Sequence, residues 1–195
     1  MVYVGVEMLL PGHEPGDREP APGALRVVQL FVNTYNQELP GDHIGTARGL
    51  SEFCAQHGLG GGGKASAGDV ARAIELREAL RLLLMENNGH PPDRDAAAVV
   101  EHAARAAQLG LRLDAGGIAS LVPQAPGMDG ALGGIVAIAY AAMADGSWRR
   151  LKACRRDVCQ WAFYDHSRNR SGAWCAMAIC GNRTKTRGYR SRRAS

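Results

Sequence analysis

Apolar residues recur at helical spacing along most of the chain. Leu25, Val28, Phe31, Val32 and Tyr35 predict a first helix that starts at Leu25 and ends near the Pro40-Gly41 turn. A second is expected over residues 44–57, with Leu50 and Phe53 inward. Val70, Ala73, Ile74, Leu76, Leu80, Leu83 and Leu84 form a broad apolar face that also takes in Arg77, which predicts a third helix behind an Asp69 cap, stopping at Asn87-Asn88-Gly89. The alanine-rich stretch 95–108 predicts a fourth. Residues 111–114 and 118–122 flank Ala115-Gly116-Gly117 as a short hairpin, and 129–146 read as the last helix of this body. Four of the nine prolines fall in residues 11–23, so that stretch is expected to be an extended or mobile loop.

The pattern describes a mainly α fold: a helical N-terminal domain with a small β-hairpin, followed by a small C-terminal module. The expected divisions are an N-terminal extended segment over 1–24, the helical domain over 25–148 and the module over 149–195. At 195 residues and 46% hydrophobic, the chain is long enough for one good core plus a small appendage. The longest apolar run, 131–144, is too short to cross a bilayer and is interrupted by Gly133 and Gly134, and the first residues carry no basic stretch. A cytoplasmic protein without a membrane partner is expected.

Net charge is only +4, but it is unevenly placed. From Arg149 onward there are 13 lysines and arginines against two acids, Asp157 and Asp165, a net +11; the residues before carry 10 against 17, a net −7. A concentrated positive segment of this kind releases counterions on meeting phosphates, and its affinity falls steeply with salt.

The same segment holds four of the five cysteines in a symmetric frame, Cys154 and Cys159, then Cys175 and Cys180. Two thiolate pairs of equal spacing supply a closed tetrahedral shell for one structural zinc, with no open position for substrate. Residues five apart on a helix lie about 140° apart around its axis, so each pair needs a loop. Gly181 after the last ligand allows a tight turn and the approach of a backbone N–H to a thiolate. Zinc would replace the core that so short a module lacks, and without it the module should unfold. Trp161, Phe163, Tyr164 and Trp174 read as a miniature core, with base stacking as the alternative. His166 is expected to be exposed or beside the ligands, and Asp165 a cap or a partner to a nearby arginine. Cys54, alone in a helix, reads as a small core residue.

The cysteine frame, the aromatic run from Trp161 to Tyr164, Asp165, Ser167-Arg168-Asn169-Arg170, Trp174 and Cys180-Gly181-Asn182-Arg183 together resemble the CGNR zinc finger family. Upstream, Phe31-Val32-Asn33-Thr34, residues 51–58 and Leu76-Arg77-Glu78-Ala79-Leu80 resemble the ABATE domain that precedes this finger in bacterial proteins. The resemblance implies a four-cysteine zinc module that binds DNA, joined to a helical domain with a ligand-sensing role, in a transcription regulator.

Arg168, Asn169 and Arg170, and beyond the last cysteine Arg183, Lys185, Arg187 and Arg190, are the candidate nucleic-acid contacts. Arginine can clamp phosphates or read guanine, and Asn169 and Asn182 are candidates for adenine; the alternative is structural pairing and a solvated tail. Gly172-Ala173 stands where the family favours basic residues, removing phosphate contacts. In the body, Asn33, Thr34 and Arg77 are candidates for binding a small ligand, or else satisfied buried hydrogen bonds that register the helices. Gly58 to Lys64 reads GLGGGGK, but a helix is expected before it and Ala65 follows where a phosphate loop needs a hydroxyl, so it reads as a linker. No catalytic constellation is legible, and no enzyme is expected. Duplex DNA is the expected partner, against two rivals: a protein-interaction or assembly module, and RNA binding.

Overall fold

The computed structural model describes residues 14–15, 18–38, 41–60 and 63–182. Five helices dominate it: α1 (Leu25–Val32), α2 (Ala47–Gln56), α3 (Ala67–Glu86), α4 (Arg94–Ala106) and α5 (Gly127–Asp145). Between α4 and α5 lies the hairpin of β1 (Gly110–Leu113) and β2 (Ala119–Val122), with Leu111 opposite Leu121. After α5 a single 3-10 turn, Ser147–Arg150, leads into β3 (Leu151–Ala153), which pairs antiparallel with β4 (Ala162–Tyr164); a π turn at Met177–Gly181 ends the described chain but for Asn182.

Local chemistry sets the helix ends. Ser66 and Asp69 form a reciprocal capping box: the Ser66 hydroxyl accepts from Asp69 N at 3.2 Å and the Asp69 carboxylate accepts from Ser66 N at 2.7 Å. The cap of α3 is therefore Ser66, with the expected Asp69 in the third helical position. Asp93 and Thr46 cap α4 and α2 one way only, their side-chain oxygens accepting from first-turn N–H groups. The first helix is shorter than its apolar spacing predicts. It stops at Val32 because Thr34 turns its hydroxyl back onto Phe31 O at 2.7 Å, and Tyr35 then bridges to Asp42.

α3 is the central element, packed against α1, α2, α4 and β3. Two arginines lie buried on it. Arg77 donates twice to Asp42 (2.7 and 2.8 Å) and once to Glu78, and its guanidinium lies 5.1 Å from the Tyr35 ring centroid. Arg81 reaches Glu78, Val32 O, Tyr35 O and Gln160 O, filling four acceptor positions with its five N–H groups. Burial alone would raise the Glu78 carboxyl; the two arginines outweigh it and hold it below its ordinary value. Of these charges only Glu78 keeps substantial water contact, so the arginines depend on their partners rather than on solvation.

The expected appendage is instead docked on the body. Leu151, Ala153, Ala162 and Tyr164 belong to the same buried cluster as Val28, Phe31, Leu80 and Leu84, so one core runs across residues 148 and 149. Polar side chains of the body close the junction. The Asn33 amide donates to Ala162 O at 2.9 Å and accepts from Ala162 N at 2.8 Å, acting as a strand neighbour to the outer edge of β4. Asn87 donates to Trp148 O and Leu151 O, and Asn88 to Ala153 O and Ala173 O. The N-terminal stretch, read as a loop, is a strap: Ala21 is buried and donates to Gln29, and Glu14 pairs with Arg26.

α5 is a core helix. Its 19 residues are apolar enough to match a membrane span in length and composition, but half of that window is buried in the protein. The helix packs on α1, α4 and β2.

Asn33→Ala should leave the buried Ala162 N–H without a partner, at about 1–3 kcal/mol, while Ala162 O keeps the Gln29 Nε2 donor at 3.2 Å. Urea denaturation of the zinc-loaded protein should show a loss of about 1–3 kcal/mol. An unchanged midpoint would remove Asn33 from the junction.

Candidate metal centre and nucleic-acid interface

Cys154 continues the β3–β4 ladder by donating to Trp161 O at 3.0 Å, and the chain then turns so that Cys159 N meets Arg156 O at 2.8 Å. Gln160 completes that turn with a left-handed φ of 48°, its carbonyl held by Arg81. The second pair spans a bend and the π turn, where Cys180 N and Gly181 N both donate to Ala176 O. Each pair thus sits in a loop, as the spacing requires. The Gly181 N–H goes to this carbonyl and not to a thiolate, contrary to expectation; the residue is glycine because a Cβ there would collide with Met177 Sδ and crowd Trp174.

All four sulfurs lie within 4.8 Å of one another and all four cysteines are buried. Cys175 Sγ is 3.6 Å from Cys159 Sγ and 3.6 Å from Cys180 Sγ. A tetrahedral zinc with bonds of about 2.3 Å sets its sulfurs about 3.8 Å apart, so the residues fit the ion. Hydrogen bonds from neighbouring thiols, Cys154 first, draw Cys180 toward the thiolate, and Cys159 chief among them does the same for Cys154; those neighbours push Cys159 and Cys175 up. Four sulfurs this close cannot all ionise without a cation. Zinc, when bound, supplies that cation and a closed structural shell.

The surroundings fit the resulting charge of about −2 on one zinc and four thiolates. Arg156 bridges Glu38 (2.7 Å) and the Cys180 sulfur. Asn36 donates to Cys159 O, and Arg18 of the strap donates to Cys175 O at 2.6 Å and Trp174 O at 2.8 Å while stacking 4.5 Å from the Phe163 ring centroid. Trp161 and Phe163 are buried with the cysteines, whereas Tyr164 is buried in the helical core. The aromatics are therefore packing residues. The Trp161 indole N–H, with no partner among the described residues, costs about 1–3 kcal/mol, small beside the 10–16 kcal/mol of structural zinc binding.

A second buried constellation shapes the loop beyond β4. Asp165 is fully buried and pairs with Lys152 Nζ at 2.8 Å, and its oxygens accept from Ser167 N (3.1 Å) and Gly172 N (2.7 Å). Lys152 also donates to Arg170 O and Gly172 O, and Arg150 to Asp165 O and Ser167 O. The expected arginine partner of the Asp165 carboxylate is thus a lysine. Burial pushes the Asp165 carboxyl up, but Lys152 and the hydrogen bonds of Ser167 and Gly172 overcome this and hold it at about 2. Gly172 is needed for this packing, since a Cβ there would stand 2.9 Å from the carboxylate.

Arg168, Asn169 and Arg170 cross the top of this loop, exposed, with Arg170 at a left-handed φ of 51°. Their side chains have no hydrogen bond or ion pair among the described residues. His166 is exposed and meets Pro20 O at 3.1 Å. Arg183, Lys185, Arg187 and Arg190 lie outside the described residues. Asn33, Thr34 and Arg77 do not converge on one cavity: Asn33 holds β4, Thr34 and Arg77 join the Asp42 network, and of the three only Thr34 borders a cavity of about 240 Å³ beside α2. Sequence reasoning passed over Lys152 and Arg150, whose only local signal was charge close to a strand.

Residues 150–193 match the model of the CGNR zinc finger, and residues 16–146, the greater part of the chain, match the ABATE model, described as "Putative stress-induced transcription regulator". No curated protein matches the chain.

The zinc-loaded protein should contain one zinc and protect four thiols; after chelation those four should alkylate while Cys54, buried and pushed up to about 11 by burial, stays slow, as counted by mass spectrometry. Asp165→Asn should cost about 3–5 kcal/mol at pH 7 by leaving Lys152 buried without its partner. Because the folded carboxyl sits at about 2, its contribution is full above the ordinary value of about 4 and is lost as pH falls toward 2. The difference between the two proteins should narrow over that window.

Proposed function

Because this chain belongs to the ABATE family and carries a CGNR zinc finger, we propose that it is a cytoplasmic transcription regulator that contacts duplex DNA through its zinc module, with the helical body responding to a small ligand or a partner. The observation that carries the DNA reading is the exposed Arg168-Asn169-Arg170 tip, held on a buried Lys152–Asp165 base. A tip braced at both ends loses little conformational entropy when it meets a phosphate backbone. Arginine at positions 168 and 170 suits phosphate clamping and the major-groove edge of guanine, and Asn169 between them suits adenine. The arginines and lysine at positions 183, 185, 187 and 190 extend the same charge along the chain.

Several cations of the segment serve other ends. Arg150, Lys152, Arg155 and Arg156 donate to Asp165 O, Asp165, Asn88 O and Glu38 respectively. The tip faces water, as do Arg149 and Arg155 of the same segment, but Arg168 and Arg170 stand together on one braced loop. We assign the protein no catalysis: its zinc shell is closed. Cysteines kept as thiols for metal accord with a reducing compartment.

The test is binding of zinc-loaded protein to a labelled pool of duplex DNA across a salt series, with a chelator-treated sample and an RNA competitor. Zinc-dependent binding is expected, and Arg168→Ala with Arg170→Ala should lower the log–log salt slope by about 2 without changing zinc content. No duplex binding at low salt, or stronger competition by single-stranded RNA, would overturn the reading.

A further inference from the structure

The hairpin of β1 and β2, which packs on α5 through β2, leaves a groove of about 860 Å³ beside the C-terminal half of α5, lined also by the residues leading into α1. Its walls are apolar: Leu111 and Leu121 on the hairpin, Ile138 and Tyr140 on α5, with Ala141 on the helix side. Leu111 is 68% exposed and Tyr140 51% exposed, so the described residues leave this apolar surface uncovered. The volume suits a drug-sized molecule, for which sites of about 300–1,000 Å³ are usual.

Charge narrows the occupant. Among the residues lining the groove Asp145 alone is ionisable to a full charge at neutral pH, and its carboxylate accepts from Ser147 N at 2.8 Å. It stands at the C-terminal end of α5, where the helix dipole is negative and the last turn holds no basic residue. Ile138, Ala141 and Asp145 fall on one stripe of the helix, so the apolar wall and the carboxylate face the same space. An anionic amphiphile would meet repulsion from both the carboxylate and the helix end.

We propose that this groove binds a lipophilic monocation, its apolar body between the hairpin and α5 and its charge toward Asp145. The site lies beside the Ser147–Arg150 turn, whose last residue holds the loop of the arginine tip through Asp165 O and Ser167 O. Regulation of DNA contact from this groove rests on the DNA-binding reading above; cation binding does not. A ligand shifts the tip only in so far as it binds one arrangement of the turn better than another.

Rhodamine 6G, a cationic xanthene dye, and fluorescein, an anionic one, are titrated separately into the full zinc-loaded chain and followed by fluorescence anisotropy, with tetraphenylphosphonium as competitor. Saturable rhodamine binding displaced by tetraphenylphosphonium is expected, with fluorescein at least tenfold weaker. Asp145→Asn, at an exposed position, should weaken rhodamine by about fivefold. Ala141→Trp, which fills the groove, should abolish binding. Equal binding of both dyes, binding indifferent to both variants, or a dimer that Ala141→Trp dissociates would overturn the proposal, the last by making a second copy the occupant. Duplex DNA affinity measured on the same samples separates the two readings, since its absence leaves the dye result standing and the reverse also holds.

Discussion

A metal held by four cysteines in two short loops leaves backbone carbonyls stranded where the chain bends, and a buried carbonyl without a donor costs about as much as a lost hydrogen bond. Here the helical body supplies the donors. Asn36 serves Cys159 O, Arg81 serves Gln160 O, Asn88 serves Ala153 O and Ala173 O, and Arg18 serves Trp174 O and Cys175 O. Three segments of the body, the strap, the stretch after α1, and α3 with the turn that follows it, therefore meet around the metal module, and neither part satisfies its buried polar groups alone.

This dependence changes what zinc does. In an isolated finger the ion stands in for a hydrophobic core. Here β3 and β4 already share the core of the helices, and zinc organises the two cysteine loops that lie beyond it. Metal loss would strike first at the loops and at the donors that reach them. Arg156 carries both kinds of contact: this cation of the module offsets part of the thiolate charge at Cys180, and the body's Glu38 holds it there.

The basic segment divides by geometry into two uses. Lys152 and Arg150 turn inward and build a loop; Arg168 and Arg170 ride on it. Coulombic attraction between an acidic body and a basic module would by itself favour collapse of one on the other, but among the described residues the charged contacts across the junction are Arg156 with Glu38 and a longer approach of His166 to Glu19 at 3.9 Å. Side-chain hydrogen bonds to backbone groups, not charge pairs, dominate the contact, which leaves the exposed arginines available for a polyanion.

The helical body, the hairpin and the cysteine frame were all legible in the sequence, because helix and strand periods and ligand spacing are local properties of a chain. Charge asymmetry was legible for the same reason. The roles of the polar residues were not. Asn87 and Asn88 read as a helix stop and Asn33 as a candidate ligand contact, yet all three clamp the metal module, and Asn33 meets Ala162 across 129 residues of chain. Lys152 gave no signal that it would be buried, since its partner Asp165 lies on the opposite strand's exit and only pairing of β3 with β4 brings them together. Periodicity reports which residues leave water; which donor meets which acceptor is decided when distant segments pack, because a buried polar group has to find its partner wherever the fold places one.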